Sequence, residues 1–306
     1  MTDSIDFLGI GAGRSGTTWL SECLREHPDI LFPVRSTPEG TEAELMSLKG
    51  EKELDFFTRG VRAGTMSQGT TNLHRGLAWY LAQFPPGRPG TVRGEFSPAY
   101  LRDPDSAALI HATFPHAKII AILRNPMDKI YSQFWLEKNS VTQDTTGSFE
   151  ECIERGDYLA SGLYHEHLSR YYALFPPDQV RVCFFDDIAT DPLALVQGLY
   201  RFLGVRDDVV PVKLNARINP ARVTRSHGLR SLLHTAVRCA DRLGLRVLMR
   251  RLTASKNLNR LYARANMQKS GYPPMNPETR ARLAEYFRDD VAKLEALTGR
   301  DLSRWR

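Results

Sequence analysis

Phe7-Leu8-Gly9-Ile10-Gly11-Ala12-Gly13-Arg14-Ser15-Gly16-Thr17-Thr18-Trp19-Leu20 begins as a short apolar run, breaks into glycines and continues as a helical pattern. A buried strand feeding a Gly-rich turn and a helix N-terminus aims several backbone N–H groups, with the positive end of a helix dipole, at one point. Such a point takes a phosphate or a sulfate. Ser15, Thr17 and Thr18 add hydroxyl donors at the first turn, and Arg14 adds a permanent positive charge. Arg14, Ser15, Gly16, Thr17 and Thr18 are therefore read as an anion cradle.

Spacing narrows what the cradle holds. Gly11 and Gly16 stand as in a nucleoside-triphosphatase loop, but that loop continues Lys then Ser/Thr, and here Gly16 is followed by Thr17-Thr18. Gly11, Gly13 and Gly16 also fit the dinucleotide pattern GxGxxG, which needs an acidic residue at the end of the next strand. That candidate strand, Ile30 to Val34, ends at Arg35 instead.

Around this loop strands alternate with helices. Strands are expected from Phe7 up to the Gly-rich turn and at 30–34, 91–95, 118–123 and 180–185, with Lys118-Ile119-Ile120-Ala121-Ile122-Leu123 the strongest buried-strand signal. Helices are expected at 17–26, 42–48, 73–84, 106–114, 127–138, 164–175, 192–203 and 277–297, closed by signals such as Pro85-Pro86-Gly87 and Gly204. The pattern predicts an α/β fold, with a central parallel sheet flanked by helices on both faces and a helical C-terminal part. The 306 residues are read as one domain, 1–306, carrying a basic helical insertion at 217–264.

A second anion site follows from position. Arg124 stands at the carboxyl end of the 118–123 strand, where open α/β sheets place their ligands, and Ser132 lies on the next helix. A guanidinium and a hydroxyl there suit another phosphate.

With both sites in view, the chain resembles the sulfotransferases that use 3′-phosphoadenosine 5′-phosphosulfate. Arg14-Ser15-Gly16-Thr17-Thr18-Trp19 is similar to their 5′-phosphosulfate loop, and Leu123-Arg124-Asn125-Pro126 through Tyr131-Ser132-Gln133-Phe134 to their 3′-phosphate motif. Lys52-Glu53-Leu54-Asp55-Phe56-Phe57, Gly94-Glu95-Phe96-Ser97-Pro98-Ala99-Tyr100-Leu101, Tyr200-Arg201-Phe202-Leu203-Gly204-Val205 and Leu302-Ser303-Arg304-Trp305 are similar to the heparan sulfate N- and O-sulfotransferase branch. The first loop looks as much like the cytosolic small-molecule enzymes.

The resemblance implies a P-loop-like three-layer fold and transfer of a sulfuryl group to a hydroxyl or amine, with the 3′,5′-bisphosphate as product and no metal. It gives Arg14 to the leaving side and the 3′-phosphate to Arg124 and Ser132. Trp19 would stack on adenine, and Lys269, Gly271 and Tyr272 would form a late donor-binding loop. Glu53, the glutamate of the Glu-x-x-Phe-Phe motif flanked by Phe56 and Phe57, is the expected base, and Glu95 is the alternative. Two departures stand out. Arg14 replaces a lysine that many members use, and Phe96 occupies the position where some heparan enzymes carry a lysine near the sulfuryl group.

A net charge of +6 favours anionic partners, and from Arg217 to Arg264 the basic residues stand almost alone, with Asp241 among them. That stretch reads either as an attractor of an anionic acceptor or membrane surface, or as the solvated face of helices. Cys23, Cys152, Cys183 and Cys239 lie far apart without metal spacing, and no apolar run approaches the ~18 residues of a membrane span. With no signal peptide in view, a cytoplasmic protein is expected. Its acceptor is a small molecule, glycan or lipid, and no nucleic acid is expected. A nucleotide kinase or triphosphatase, and a nucleotide-binding module without turnover, are the competing functions.

Overall fold

A computed structural model describes residues 4–34, 53–59, 71–139, 145, 147–156, 158–216, 223–224, 267–268 and 271–306. The expected helix at 42–48 and Lys269 lie outside the described residues, as does the basic insertion apart from one short strand.

Five parallel strands form one sheet: β1 (Phe7–Gly11), β2 (Ile30–Leu31), β3 (Val92–Phe96), β4 (Lys118–Leu123) and β5 (Val180–Phe184), in the order β2-β3-β1-β4-β5. The described helices are α1 (Thr17–Arg25), α2 (Gly76–Leu81), α3 (Ser106–Thr113), α4 (Pro126–Lys138), α5 (Phe149–Glu154), α6 (Tyr164–Tyr172), α7 (Phe185–Thr190), α8 (Pro192–Leu203) and α9 (Pro277–Thr298). Two further short strands, β6 (Val223–Thr224) and β7 (Met267–Gln268), pair antiparallel with each other.

Strand alternation divides the core into two layers. Leu8, Ile10, Ile119, Ala121 and Leu123 face one side, where α3, α4, α6 and α9 cover them with residues such as Ile110, Ile130, Leu168 and Phe287. Phe7, Phe96, Ile120, Ile122 and Cys183 face the other, under Leu20, Cys23 and Leu24 of α1 and Val196, Leu199 and Leu203 of α8. A parallel sheet covered on both faces explains why β4 reads as an unbroken apolar run.

Most expected elements are present with shifted ends. β2 is only two residues long at the sheet edge, because Pro33 has no N–H to give a ladder. Residues 73–84 divide into a 3₁₀ turn, Leu73–Arg75, and α2, which opens on Gly76 at φ 81. Phe185 belongs to α7 rather than to β5. α5 is not among the expected helices, although Ser148 and Glu151 close a full capping box at its start.

β1 and β3 approach each other closely at a glycine. A Cβ on Gly9 would come within 2.1 Å of the Phe96 ring, and one on Gly94 within 2.3 Å of the Phe7 carbonyl oxygen. β1 and β3 thus exchange a ring for a missing side chain in both directions, and Phe96 also stacks on Phe32 at 6.3 Å. Gly9→Ala should lower the free energy of unfolding by about 1–3 kcal/mol, the usual cost of overpacking. Denaturant titration checks this, and an unchanged midpoint would mean that the ring moves aside freely.

Candidate functional site

Strand order reverses at β1, and open α/β sheets form their ligand crevice at such a point. The carboxyl ends of β1 and β4 lie side by side there. Their register slips between Gly9 and Gly11, and the Ala12 N–H then donates to the Ile122 carbonyl at 2.8 Å. The loop after β1 and the turn after β4 consequently open onto one crevice.

Gly16 caps the N-terminus of α1 at φ +93, and a Cβ on it would come within 2.8 Å of Ile188. That left-handed conformation favours glycine, and the close approach excludes a side chain. No side chain caps α1. Its nine residues therefore bring a positive dipole end to the loop. Ser15 is fully buried, and its Oγ has no hydrogen-bond partner. Tyr164 is buried against Ser15 and Arg124, and burial pushes its phenol pKa upward. An orphaned hydroxyl inside a Gly-rich turn at a helix N-terminus fits an anionic group. Thr17 is buried at the first turn and Thr18 is half-buried beside it.

After β4 the chain turns through Arg124-Asn125-Pro126. The Asn125 side chain accepts from the Met127 N–H at 3.0 Å and Pro126 occupies the first helical turn, so α4 starts at once and Arg124 stays at the strand end. The Arg124 guanidinium lies over the Phe185 ring at 4.8 Å. Ser132, 4 % exposed, faces the first loop. Arg14, at φ 68, donates to Ser132 Oγ from Nε at 3.1 Å and from Nη2 at 2.9 Å. Arg14 Nη2 also reaches the Tyr272 hydroxyl at 3.3 Å. Tyr272 stacks on Trp135 of α4 at 5.8 Å, and the Tyr131 hydroxyl donates to the Pro273 carbonyl at 2.9 Å. Gly271 begins this late segment at φ +77. Residues from three distant parts of the sequence thus gather around one guanidinium.

Other expected residues lie differently. Trp19 is 5 % exposed, packs in the core beneath α8 and donates its indole N–H to the Leu214 carbonyl at 3.0 Å. The protein's own chain covers the ring that the resemblance gives to adenine. Phe96 is wholly buried over Gly9, on the core side of the sheet.

Glu53 is half-buried in a segment without regular structure, residues 53–59. Phe56 and Phe57 anchor that segment by entering the core, where they meet Tyr80 at 4.6 and 5.3 Å. Glu95 is fully buried and its carboxylate is occupied: Oε1 accepts from the Tyr100 hydroxyl at 2.5 Å and Oε2 from Ser97 Oγ at 2.6 Å. The signal for these partners was present in Ser97-Pro98-Ala99-Tyr100, but nothing in the sequence paired them with Glu95. Among the described residues, no His, Cys, Asp and Glu side chains gather to hold a metal.

The chain resembles known proteins along its length. The family pattern described as "Sulfotransferase family" matches residues 7–208. The mouse and human proteins named bifunctional heparan sulfate N-deacetylase/N-sulfotransferase 3 are each 27% identical over 321 residues, covering 98% of this chain and 31% of their own length. The chain thus spans about a third of these curated relatives. The crystal structure of a sulfotransferase from Alicyclobacillus acidocaldarius superposes with a TM-score of 0.64 at 27% identity, covering 99% of this chain and 98% of that one.

Burial pushes the Glu95 carboxyl from 4.5 up to about 7, against the hydrogen bonds from Ser97 and Tyr100 and with help from Asp55. Between those values the folded chain holds a proton that the unfolded chain has released, so this group lowers stability as pH rises through the window. His167, lowered to about 4 chiefly by burial, has the opposite slope, and a difference between variants cancels it. The melting temperature of Glu95→Gln minus that of the native chain should therefore rise from pH 4.5 to about 7. A constant difference across that range would contradict a buried acid at this position.

Proposed function

The chain belongs to the sulfotransferase family, and from that premise we propose that it moves a sulfuryl group from 3′-phosphoadenosine 5′-phosphosulfate to a hydroxyl, or an amine, of an organic acceptor. One observation carries the reading most: Arg14 of the first anion loop and Ser132 of the second motif are hydrogen-bonded, so both motifs address one crevice. A nucleotide with an anion at each end of its ribose suits a crevice with cationic groups on both β1 and β4 sides. Arg124 and Ser132 would hold the 3′-phosphate, while the α1 N-terminus with Ser15, Gly16, Thr17 and Thr18 would hold the 5′-phosphosulfate. Tyr272, which reaches Arg14 from the late segment, would close over the donor together with Gly271, with Lys269 assigned to the same loop by sequence alone.

In the chemical step a bond forms between sulfur and the acceptor oxygen or nitrogen, and the bond from sulfur to the 5′-phosphate oxygen breaks. The electron pair of that bond leaves with the bisphosphate, where Arg14 neutralises the charge as it gathers. Glu53 accepts the acceptor's proton. These demands parallel phosphoryl transfer, in which positioning and cationic stabilisation supply most of the catalysis. The reading requires no metal.

Relatives named for heparan sulfate make a glycan the leading acceptor class, and a lipid or small natural product the next. Among the described residues Cys23, Cys152 and Cys183 are buried thiols outside any disulfide, which suits a reducing compartment such as the cytoplasm, and none of the described helices is long and apolar enough to cross a membrane.

The donor should yield a gain of one sulfuryl mass on at least one member of a panel of glycan, lipid and phenolic acceptors. Glu53→Gln keeps the volume and removes the basicity. It should lower that turnover by about 10²–10⁴-fold while leaving the calorimetric affinity for adenosine 3′,5′-bisphosphate unchanged. Binding of the bisphosphate with no mass gain on any acceptor would favour a binding module instead.

A further inference from the structure

Four consecutive backbone N–H groups, those of Leu54, Asp55, Phe56 and Phe57, converge on the surroundings of one carboxylate. The Leu54 N–H approaches Glu95 Oε2 at 3.4 Å. The Asp55 N–H donates to Ser97 Oγ at 2.9 Å, and that hydroxyl donates on to Glu95 Oε2 at 2.6 Å. The Phe56 and Phe57 N–H groups reach the Tyr100 hydroxyl at 3.0 and 3.4 Å, and that hydroxyl donates on to Glu95 Oε1 at 2.5 Å. A segment with no strand partner thus has its donors satisfied by a carboxylate and two hydroxyls, as a ladder would satisfy them.

The same turn supports the anion loop. The Ser97 N–H donates to the Gly9 carbonyl at 2.9 Å and the Leu101 N–H to the Ile10 carbonyl at 2.8 Å. A Cβ on Gly11 would lie 2.9 Å from Leu101 Cβ and 3.2 Å from the Pro98 carbonyl oxygen. Residues 97–101 therefore touch the Glu53 segment on one side and the Arg14 loop on the other. Glu95 is the carboxylate between them. It is 0 % exposed, and both oxygens are already engaged, so an acceptor hydroxyl has no path to it.

We infer that Glu95 is a positioning residue: it does not take the acceptor's proton, but holds the Leu54–Phe57 backbone against the turn that underlies the anion loop, and so fixes Glu53 relative to the sulfuryl group. This rests on the reading of Glu53 as the base. Above about pH 7, where the raised pKa leaves Glu95 ionised, its carboxylate is suited to the task because charge-assisted hydrogen bonds are shorter and stronger than neutral ones and define direction. Gln at this position presents an amide whose NH2 faces the donors that the second oxygen now accepts, so half of the clamp is lost without loss of volume.

The test combines exchange and kinetics on the full chain. In Glu95→Gln, amide hydrogen exchange at 54–57 should quicken by about tenfold or more, while 119–123 in β4 stays protected. With the acceptor that gains mass in the panel, kcat should fall roughly 10- to 100-fold, because a small misplacement of a reacting group has effects of that order. Affinity for adenosine 3′,5′-bisphosphate should hold within about twofold. In a Glu53→Gln background, adding Glu95→Gln should cost less than about threefold more, since a residue that acts through Glu53 has nothing left to position. A full second loss in that background would make Glu95 act by itself and overturn the inference, as would unchanged exchange at 54–57. If Glu53→Gln alone turns over like the native chain, the base assignment fails; quickened exchange at 54–57 would still uphold the clamp on that segment. Ser97→Ala, which removes the relay to Asp55, gives the same readouts should Glu95→Gln not fold.

Discussion

The Phe96 ring lying over Gly9 sets the geometry on which the crevice depends. It draws β1 and β3 together where no side chain intervenes, and the turn that follows β3 is thereby brought beneath the loop that follows β1. Most of the candidate site residues are carried by segments attached to that junction. The anion loop hangs from the end of β1, the Glu53 segment from the turn after β3, and Arg124 from the end of β4 across the slip in register. Rigid strands hold these pieces, and the segments they hold are short.

Electrostatics gives the junction its purpose. An uncapped helix N-terminus, Arg14 and Arg124 present positive charge from both strand ends, and the described groups that hold the two guanidiniums are neutral and orient them without cancelling their charge. The ring of Phe185 beneath Arg124 orients the guanidinium without neutralising it; such contacts contribute about 0.5–2 kcal/mol. Ser132 and Tyr272 do the same for Arg14 as hydroxyl acceptors. A cation whose partners are an aromatic face or hydroxyls keeps its charge for an anion. A buried carboxylate is present nearby in Glu95, but its own hydroxyl partners enclose it.

Much of this was legible in the sequence where local chemistry decides. β4 is apolar from Ile119 to Leu123 because both faces are covered, and α8 lies between an Asp191 cap and Gly204, so each is found with its expected bounds. The anion loop and the Arg-Asn-Pro turn carry their chemistry in adjacent residues. What depends on distant pairing was not legible. The Arg14–Ser132 bond spans 118 residues and the contact of the Leu54 N–H with Glu95 spans 41, and only the strand order brings them together. Trp19 is instructive in the other direction: its spacing with Leu20, Cys23 and Leu24 puts it on the apolar side of α1, and burial follows that pattern rather than the stacking role given by resemblance.

The central claim is that one ligand spans the two motifs, with its 3′-phosphate on Arg124 and Ser132. Calorimetry of adenosine 3′,5′-bisphosphate against adenosine 5′-phosphate, in the native chain and in Arg124→Ala, tests it most directly. A charge-assisted pair is worth about 1.5–3 kcal/mol, so the native chain should prefer the bisphosphate by about tenfold or more and Arg124→Ala should lose most of that preference. Equal affinity of the native chain for the two nucleotides, or a preference that survives intact in folded Arg124→Ala, would contradict it.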